Sequence, residues 1–232
     1  MDVLTGHWLR SDTLEVTTMK MLRLMVLVLG LVALTGGCIA DEGNGEFARE
    51  VRQLKPFLRV KANGFVDVRI IQGQGQKVEV QGDGNLLDCY ETRVKGETLH
   101  INVEGWVKPD IRPLVIVRIP TLRAVESSGT GDVEVSNLNV IHLDAETSGT
   151  GDITIHGTAT SLDAETSGTG DLHAANFACL EVLVRTSGTG DAAVHAAEMV
   201  EGSVSGTGNL KVYGNPVIRE VKVSGLGNLI YK

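Results

Sequence analysis

The hexapeptide TSGTGD stands at Thr147–Asp152, at Thr166–Asp171 and again at Thr186–Asp191. SSGTGD precedes it at Ser127–Asp132, and VSGTGN and VSGLGN follow at Val204–Asn209 and Val223–Asn228. The first glycines of the six copies, Gly129, Gly149, Gly168, Gly188, Gly206 and Gly225, are 20, 19, 20, 18 and 19 residues apart. The second glycines, Gly131, Gly151, Gly170, Gly190, Gly208 and Gly227, keep the same beat, as do Asp132, Asp152, Asp171, Asp191, Asn209 and Asn228. A period of this size marks stacked supersecondary units, each too small to bury its apolar face alone.

The residues between the glycines identify the unit. In LDAETSGTGD (Leu143–Asp152, repeated at Leu162–Asp171), Leu, Ala and Thr alternate with Asp, Glu and Ser. Behind each corner come DVEV, DITI and DLHA, which alternate again and turn Val133, Val135, Ile153, Ile155 and Leu172 inward. A period of two is that of a strand with one buried face, and nothing here has helical spacing. Each coil therefore reads as two or three short strands joined by tight corners, with successive coils stacked in parallel ~4.8 Å apart. Glycine at the corners is expected to supply φ > 0, with Ser, Thr and Asp bonding the free backbone of the turn. Columns such as Leu143, Leu162 and Val182 should face the core, and Glu146, Glu165, Arg185, Ser203 and Lys222 should face solvent, with an exposed Glu165–Arg185 ion pair.

From Phe47 to Glu126 the exact repeat is missing, but VDVRIIQG, QKVEVQGD, TLHINVEG and PLVIVRIP keep the strand pattern. The expected fold is all-β: a parallel β-helix or β-solenoid with coils of 19–20 residues over 127–232, and a less regular β part over 47–126 that caps one end. Lys232, after LIY, would blunt the last edge. The run through VKANGFVDVRIIQG, VQGDGNLLDCYET and LVIVRIPTLRAVESSGTGDVEV into the SGTGD series resembles the head GIN domain family, labelled putative auto-transporter adhesins. The similarity covers roughly residues 47–232, and it implies a secreted or lipid-anchored β-solenoid of the bacterial envelope.

Four chemistries are conceivable on this repeat. A phosphate cradle needs a helix after its glycine loop, and none follows. A calcium ladder along Asp132, Asp152, Asp171 and Asp191 would relieve repulsion between stacked carboxylates, yet the spacing is not that of calcium-binding β-rolls, and Asn209 and Asn228 already dilute the charge. No cofactor is expected, with Ca²⁺ the alternative. His156 and His195 lie two coils apart, ~9.6 Å between equivalent atoms, too far to share a metal. Asp144, Glu146, Asp163 and Glu165 imitate a glycosidase pair, but the repeat accounts for them as outward solubilising acids. No catalytic residue is assigned.

The 232 residues carry a formal net charge of −8 and no basic cluster, which argues against a nucleic-acid partner. Three cysteines make no disulfide framework; Cys89 and Cys179 are read as free thiols. At the amino terminus, Lys20 and Arg23 precede an apolar run from Leu24 to Leu34, then Gly36, Gly37 and Cys38. This resembles a bacterial lipoprotein signal in which Cys38 is lipidated and becomes the first mature residue. Asp2, Asp12 and Glu15 do not suit a signal, which places the translation start at Met19 or Met21. The organisation expected is thus a signal peptide over 1–37, a lipidated tether over 38–46, then the solenoid. Ile39 resembles the residue of lipoproteins sorted to the outer membrane. The expected role is non-catalytic binding or adhesion at the cell envelope, toward a glycan or envelope protein, with the membrane as a partner through the acyl anchor; the alternatives are a carbohydrate-active enzyme of the envelope and a purely structural periplasmic lipoprotein.

Overall fold

A computed structural model describes residues 41–232. Its regular part is built from four long strands, β11 (Val133–Thr147), β12 (Ile153–Thr166), β13 (Leu172–Thr186) and β14 (Ala192–Val204), each running from one SGTGD corner to the next. All pair in parallel, Leu143 with Leu162 and Leu162 with Val182, so the register advances by one repeat per layer. Instead of two or three separate strands per coil, each coil is one strand that bends partway. The ladder slips between Val135 and Leu138 and again between Thr154 and Gly157, and Asn137 and Gly157 take positive φ there.

The inward columns are as the alternation requires. Val133, Ile153, Leu172, Ala192 and Leu210 form one file; Leu143, Leu162, Val182 and Val200 form another; all are buried. Burying each Val, Leu or Ile contributes roughly 1.5–3 kcal/mol. A third inward file is polar: Ser127, Thr147, Thr166 and Thr186, followed by Val204 and Val223. The hydroxyls of Ser127, Thr166 and Thr186 are buried without a hydrogen-bond partner, whereas Thr147 Oγ1 donates to the Gly151 carbonyl at 3.3 Å.

The amino-terminal half lays down its coils out of chain order. β1 (Asp41–Glu42) and β2 (Phe47–Arg52) precede β3 (Arg59–Ala62) and β4 (Asp67–Gln72), which form the first coil. After β5 (Lys77–Asp83) and β6 (Tyr90–Lys95), strands β7 (Thr98–Val103), β8 (Val107–Lys108) and β9 (Leu114–Ile119) follow. β7 pairs with β3 and β9 with β4 on one side, while β10 (Ala124–Ser127) and the start of β11 cover the other. The coil written first is therefore sandwiched between two written later. Antiparallel β6, β5 and β2 then close that end of the stack, which is the cap the sequence pattern predicts. Part of the stretch read as a tether is fixed: β1 pairs with β8, and Gly45 N–H donates to the buried Asp83 carboxylate at 2.8 Å.

At the other end, β15 (Leu210–Tyr213) and β16 (Ile218–Val223) stack on β14, and β17 (Leu229–Tyr231) stacks on β15 as the start of a last, partial layer. Here the core file Val182–Val200 ends in Arg219, whose guanidinium lies 4.4 Å from the centre of the Tyr231 ring. A cation–π contact thus covers the apolar file at its open end.

The corner glycines are explained differently from the sequence expectation. None of the twelve has positive φ; among the described residues that conformation falls instead on glycines such as Gly64, Gly157, Gly202 and Gly214. The corners need glycine for close approach. A Cβ on Gly168 would lie 2.1 Å from the Gly149 carbonyl oxygen, and one on Gly170 2.2 Å from that of Gly151. The missing side chain lets Thr169 N–H reach Gly149 O at 2.9 Å, backbone directly upon backbone.

Candidate functional site

The turn acids form a continuous file of hydrogen bonds. Asp132 Oδ1 accepts the backbone N–H of Asp152 at 3.1 Å, Asp152 Oδ1 that of Asp171 at 2.8 Å, and Asp171 Oδ1 that of Asp191 at 2.7 Å. Asp191 accepts from the Asn209 N–H at 2.8 Å and from its side-chain amide at 2.9 Å, and Asn209 serves Asn228 in the same way. The file starts one coil earlier than the repeat suggests, because Asp67 Oδ1 accepts the Asp132 N–H at 3.0 Å. Each carboxylate thus binds the amide of the next coil, a charge-assisted bond that also separates the stacked charges. At Asp191, burial alone would push the pKa up, but the Asn209 backbone and side-chain donors and the Lys211 ammonium outweigh it and hold the group below the usual range. In this file each side chain serves as a backbone acceptor for the next coil.

The outward surface of the strand preceding the corner is where charge gathers without a structural task. Lys61, Glu126, Glu146, Glu165, Arg185, Ser203 and Lys222 stand in one file, as the register predicts from Glu146 onward. One position along, Asp144 and Asp163 are direct neighbours in successive coils. Lys61 Nζ donates to Glu126 Oε2 at 2.6 Å, and that bond raises the ammonium's pKa against the opposing effect of burial, with the Glu126 and Glu146 charges adding to the rise. Arg59 Nη1 lies 3.8 Å from Asp144 Oδ2. Arg59, Glu126, Asp144, Glu146, Asp163, Glu165 and Arg185 line one shallow groove. The anticipated Glu165–Arg185 pair is in register, yet among the described residues it does not close into an ion pair. Two exposed side chains gain too little from pairing to hold one geometry.

His156 and His195 do not share a site; His195 Nδ1 lies 3.3 Å from the Ala175 carbonyl. Two other histidines, which sequence reasoning missed, meet carboxylates. His142, Asp144 and Asp163 offer ligand atoms within 4.8 Å of one another, and so do Asp152, Asp171 and His173. His142 Nε2 sits 2.9 Å from Asp144 Oδ1, and Nδ1 2.8 Å from Ser161 Oγ. The signal was present as a His two residues from an Asp, with a second Asp one repeat away: Asp163 after His142 and Asp144, Asp152 before Asp171 and His173. Such sets have the donor chemistry for a divalent cation, although Asp152 Oδ1 is already engaged by the turn file. Cys179 is a buried free thiol whose pKa burial pushes up to about 12. Cys89 is disulfide-bonded, so the expectation of two free thiols is corrected and holds for Cys179 alone. Cys38, the signal stretch and the apolar run lie outside the described residues. Among the described residues no helix is long and apolar enough to cross a membrane.

Stacked parallel coils with an antiparallel cap and a charged outward file define a β-solenoid of short, near-identical windings. The family described as "Putative auto-transporter adhesin, head GIN domain" matches residues 56–216, and the chain belongs to it. Among solved structures, a putative adhesin from Bacteroides fragilis NCTC 9343 is similar at 21% identity and a TM-score of 0.71, over 83% of this chain and all (100%) of that one. A putative lipid binding protein from Parabacteroides distasonis ATCC 8503 aligns at 16% identity and TM-score 0.54, covering 82% and 99% of the two chains. A putative adhesin from Parabacteroides merdae ATCC 43184 aligns at 18% identity and TM-score 0.53, again over 82% and 99%. At these identities the likeness is one of fold. No curated protein sequence matches. Family membership supports a binding or adhesion role and is consistent with the cell envelope.

Proposed function

We propose that this chain is a lipid-anchored, non-catalytic binding module of the bacterial cell envelope, sorted to the outer membrane, whose charged outward file contacts a glycan or an envelope protein. The observation that carries the reading is the file itself: Glu126, Glu146 and Glu165 at successive layers, flanked by Lys61 and Arg185 and by the Asp144–Asp163 pair. Its rungs repeat every ~4.8 Å on a rigid sheet, a spacing set by backbone hydrogen bonds rather than by flexible loops. Such a surface suits a repeating or extended ligand that offers cations or hydroxyls at even intervals. The acids recur in each coil instead of converging on one unrepeated constellation, which favours adhesion over catalysis.

The test is retention on glycan and envelope-protein arrays by the wild type and by a Glu146→Gln/Glu165→Gln variant. Loss of retention with an unchanged melt supports the reading; equal retention by both forms overturns it. The anchor is read by mass. Diacylglycerol on the Cys38 peptide supports lipidation, whereas a Cys38 peptide cross-linked to Cys89 overturns it, because one sulfur cannot serve both bonds.

A further inference from the structure

The acids of the outward surface belong to the repeat, but one imidazole among them does not. Asp144 and Asp163 are direct neighbours across β11 and β12, so their carboxylates leave the same face of the sheet one strand spacing, ~4.8 Å, apart. The acid column stops there, because Leu183 follows Asp163 in the next coil. Two residues before Asp144 the file reads His142, Ser161, Glu181 and Met199, so the histidine stands there once, beside the paired acids.

The ring is held at both nitrogens: Nε2 lies 2.9 Å from Asp144 Oδ1 and Nδ1 2.8 Å from Ser161 Oγ. Asp144 turns its other oxygen, Oδ2, toward Arg59 Nη1 at 3.8 Å, which leaves Oδ1 to the imidazole. Asp163 completes the set, and among the described residues it makes no hydrogen bond or ion pair of its own. One ligand atom from each of the three side chains lies within 4.8 Å of the other two. Tetrahedral donors at ~2.0–2.2 Å from one zinc ion stand roughly 3.3–3.6 Å apart, so the His142–Asp144 pair opens slightly and Asp163 closes by less than about 2 Å. Side-chain rotation supplies both movements at a solvated surface. With a metal on Nε2, Nδ1 keeps its proton and donates it to Ser161 Oγ, a hydroxyl able to accept or donate as the ring requires. The other set is poorer: Asp152 Oδ1 and Asp171 Oδ1 already accept amides of the next coil, and His173 Nε2 is 3.8 Å from Asp152 Oδ2.

We infer that His142 Nε2, Asp144 Oδ1 and an Asp163 carboxylate oxygen form a surface site for a divalent zinc ion, beside the groove that Asp144 and Asp163 line. One imidazole nitrogen with two carboxylates is a donor mixture zinc accepts, whereas calcium asks for ~6–8 oxygens. Three protein donors leave a fourth position to water or to an external oxygen ligand. The bound cation also offsets the repulsion between the two stacked aspartates. The site depends neither on the anchor nor on the adhesion reading above.

The purified protein, free of any polyhistidine tag, is stripped with chelator, dialysed and titrated calorimetrically near neutral pH with Zn²⁺ alone, and separately with Ca²⁺. One saturable Zn²⁺ per chain is expected, with a raised thermal midpoint in its presence and no response to Ca²⁺. His142→Ala and Asp163→Asn should each weaken Zn²⁺ binding by at least the ~10–100-fold that loss of a supporting group costs a metal site. His173→Ala should leave it unchanged. Absence of saturable Zn²⁺ binding overturns the inference. So does equal affinity in the wild type and both ligand variants, or binding that is lost in His173→Ala and kept in His142→Ala. None of the three substituted side chains is buried, and melts in chelator verify that each variant is folded.

Discussion

The Asp171 carboxylate accepts the backbone N–H of Asp191 at 2.7 Å, one coil further on, and the same bond recurs wherever an Asp or Asn closes the corner. The acid of the repeat is thus a backbone acceptor first and a surface charge second. Four measurements follow from that arrangement and from the packing beneath it.

Asp191 has a lowered pKa in the folded chain. A depressed carboxylate contributes stability above its unfolded value and loses it as pH falls through the folded one. The wild type should therefore lose stability below about pH 4, and Asp191→Asn should lessen that loss while remaining close to wild type at pH 7, as the Asn209–Asn228 rung already shows an amide in this role. Asp191→Ala should cost about 1 kcal/mol at pH 7 by orphaning the Asn209 donors. Urea melts at pH 3.5 and 7 separate the three.

Gly168→Ala forces a methyl group against the Gly149 carbonyl. Overpacking of this kind costs about 1–3 kcal/mol, a fall in melting temperature of ~2–4 °C for each kcal/mol in a domain of this size. Gly73→Ala meets nothing within 4 Å and lacks positive φ, so its midpoint should stay within error. Equal effects from the two would contradict the close-approach account.

Thr166 carries a buried hydroxyl without a partner, in a file that Val204 continues unaided. Thr166→Val keeps the shape and removes the unpaired group, so it should raise stability by about 1 kcal/mol. A drop in the thermal midpoint would show that the hydroxyl is satisfied after all.

Calcium should not shift the melt. The Oδ1 atoms along the turn file are occupied by amides, and a ligand bound only by the folded chain must raise the midpoint. Scans in excess Ca²⁺ and in chelator should superimpose; curves that separate in the wild type and equally in a His142→Ala/Asp163→Asn variant would reinstate a metal role for the ladder.

The regular half of this fold was legible because two periods coincide. The two-residue alternation of LDAET sets the buried face, and the repeat spacing of Gly149 and Gly168 sets the layer, so the Leu143–Leu162–Val182 and Glu146–Glu165–Arg185 files could be written down from the sequence. The reason for the glycines was not legible. φ > 0 and close approach leave the same letter in a sequence, and only the position of the Gly149 carbonyl distinguishes them. Nor could the sequence place Asp67 at the foot of the acid file, because it lies outside any SGTGD copy and reaches Asp132 only through the out-of-order stacking of β4. His142 and His173 do not recur at the same position in neighbouring coils, so the repeat draws no attention to them; each set is completed only by a carboxylate of the adjoining coil, Asp163 for His142 and Asp152 for His173.

The sandwiching of β3 and β4 between later coils bears on how the chain acquires its shape. Those strands complete their ladders only when Leu99 and Val125, 39 and 65 residues downstream of Val60, have arrived. A chain emerging amino end first thus cannot wind up coil by coil from its beginning; loop closure over these separations comes first and is slow. Once that three-layer seed exists, each new SGTGD winding finds a finished neighbour within about twenty residues and adds to it locally. Growth is then directional, from the capped end outward.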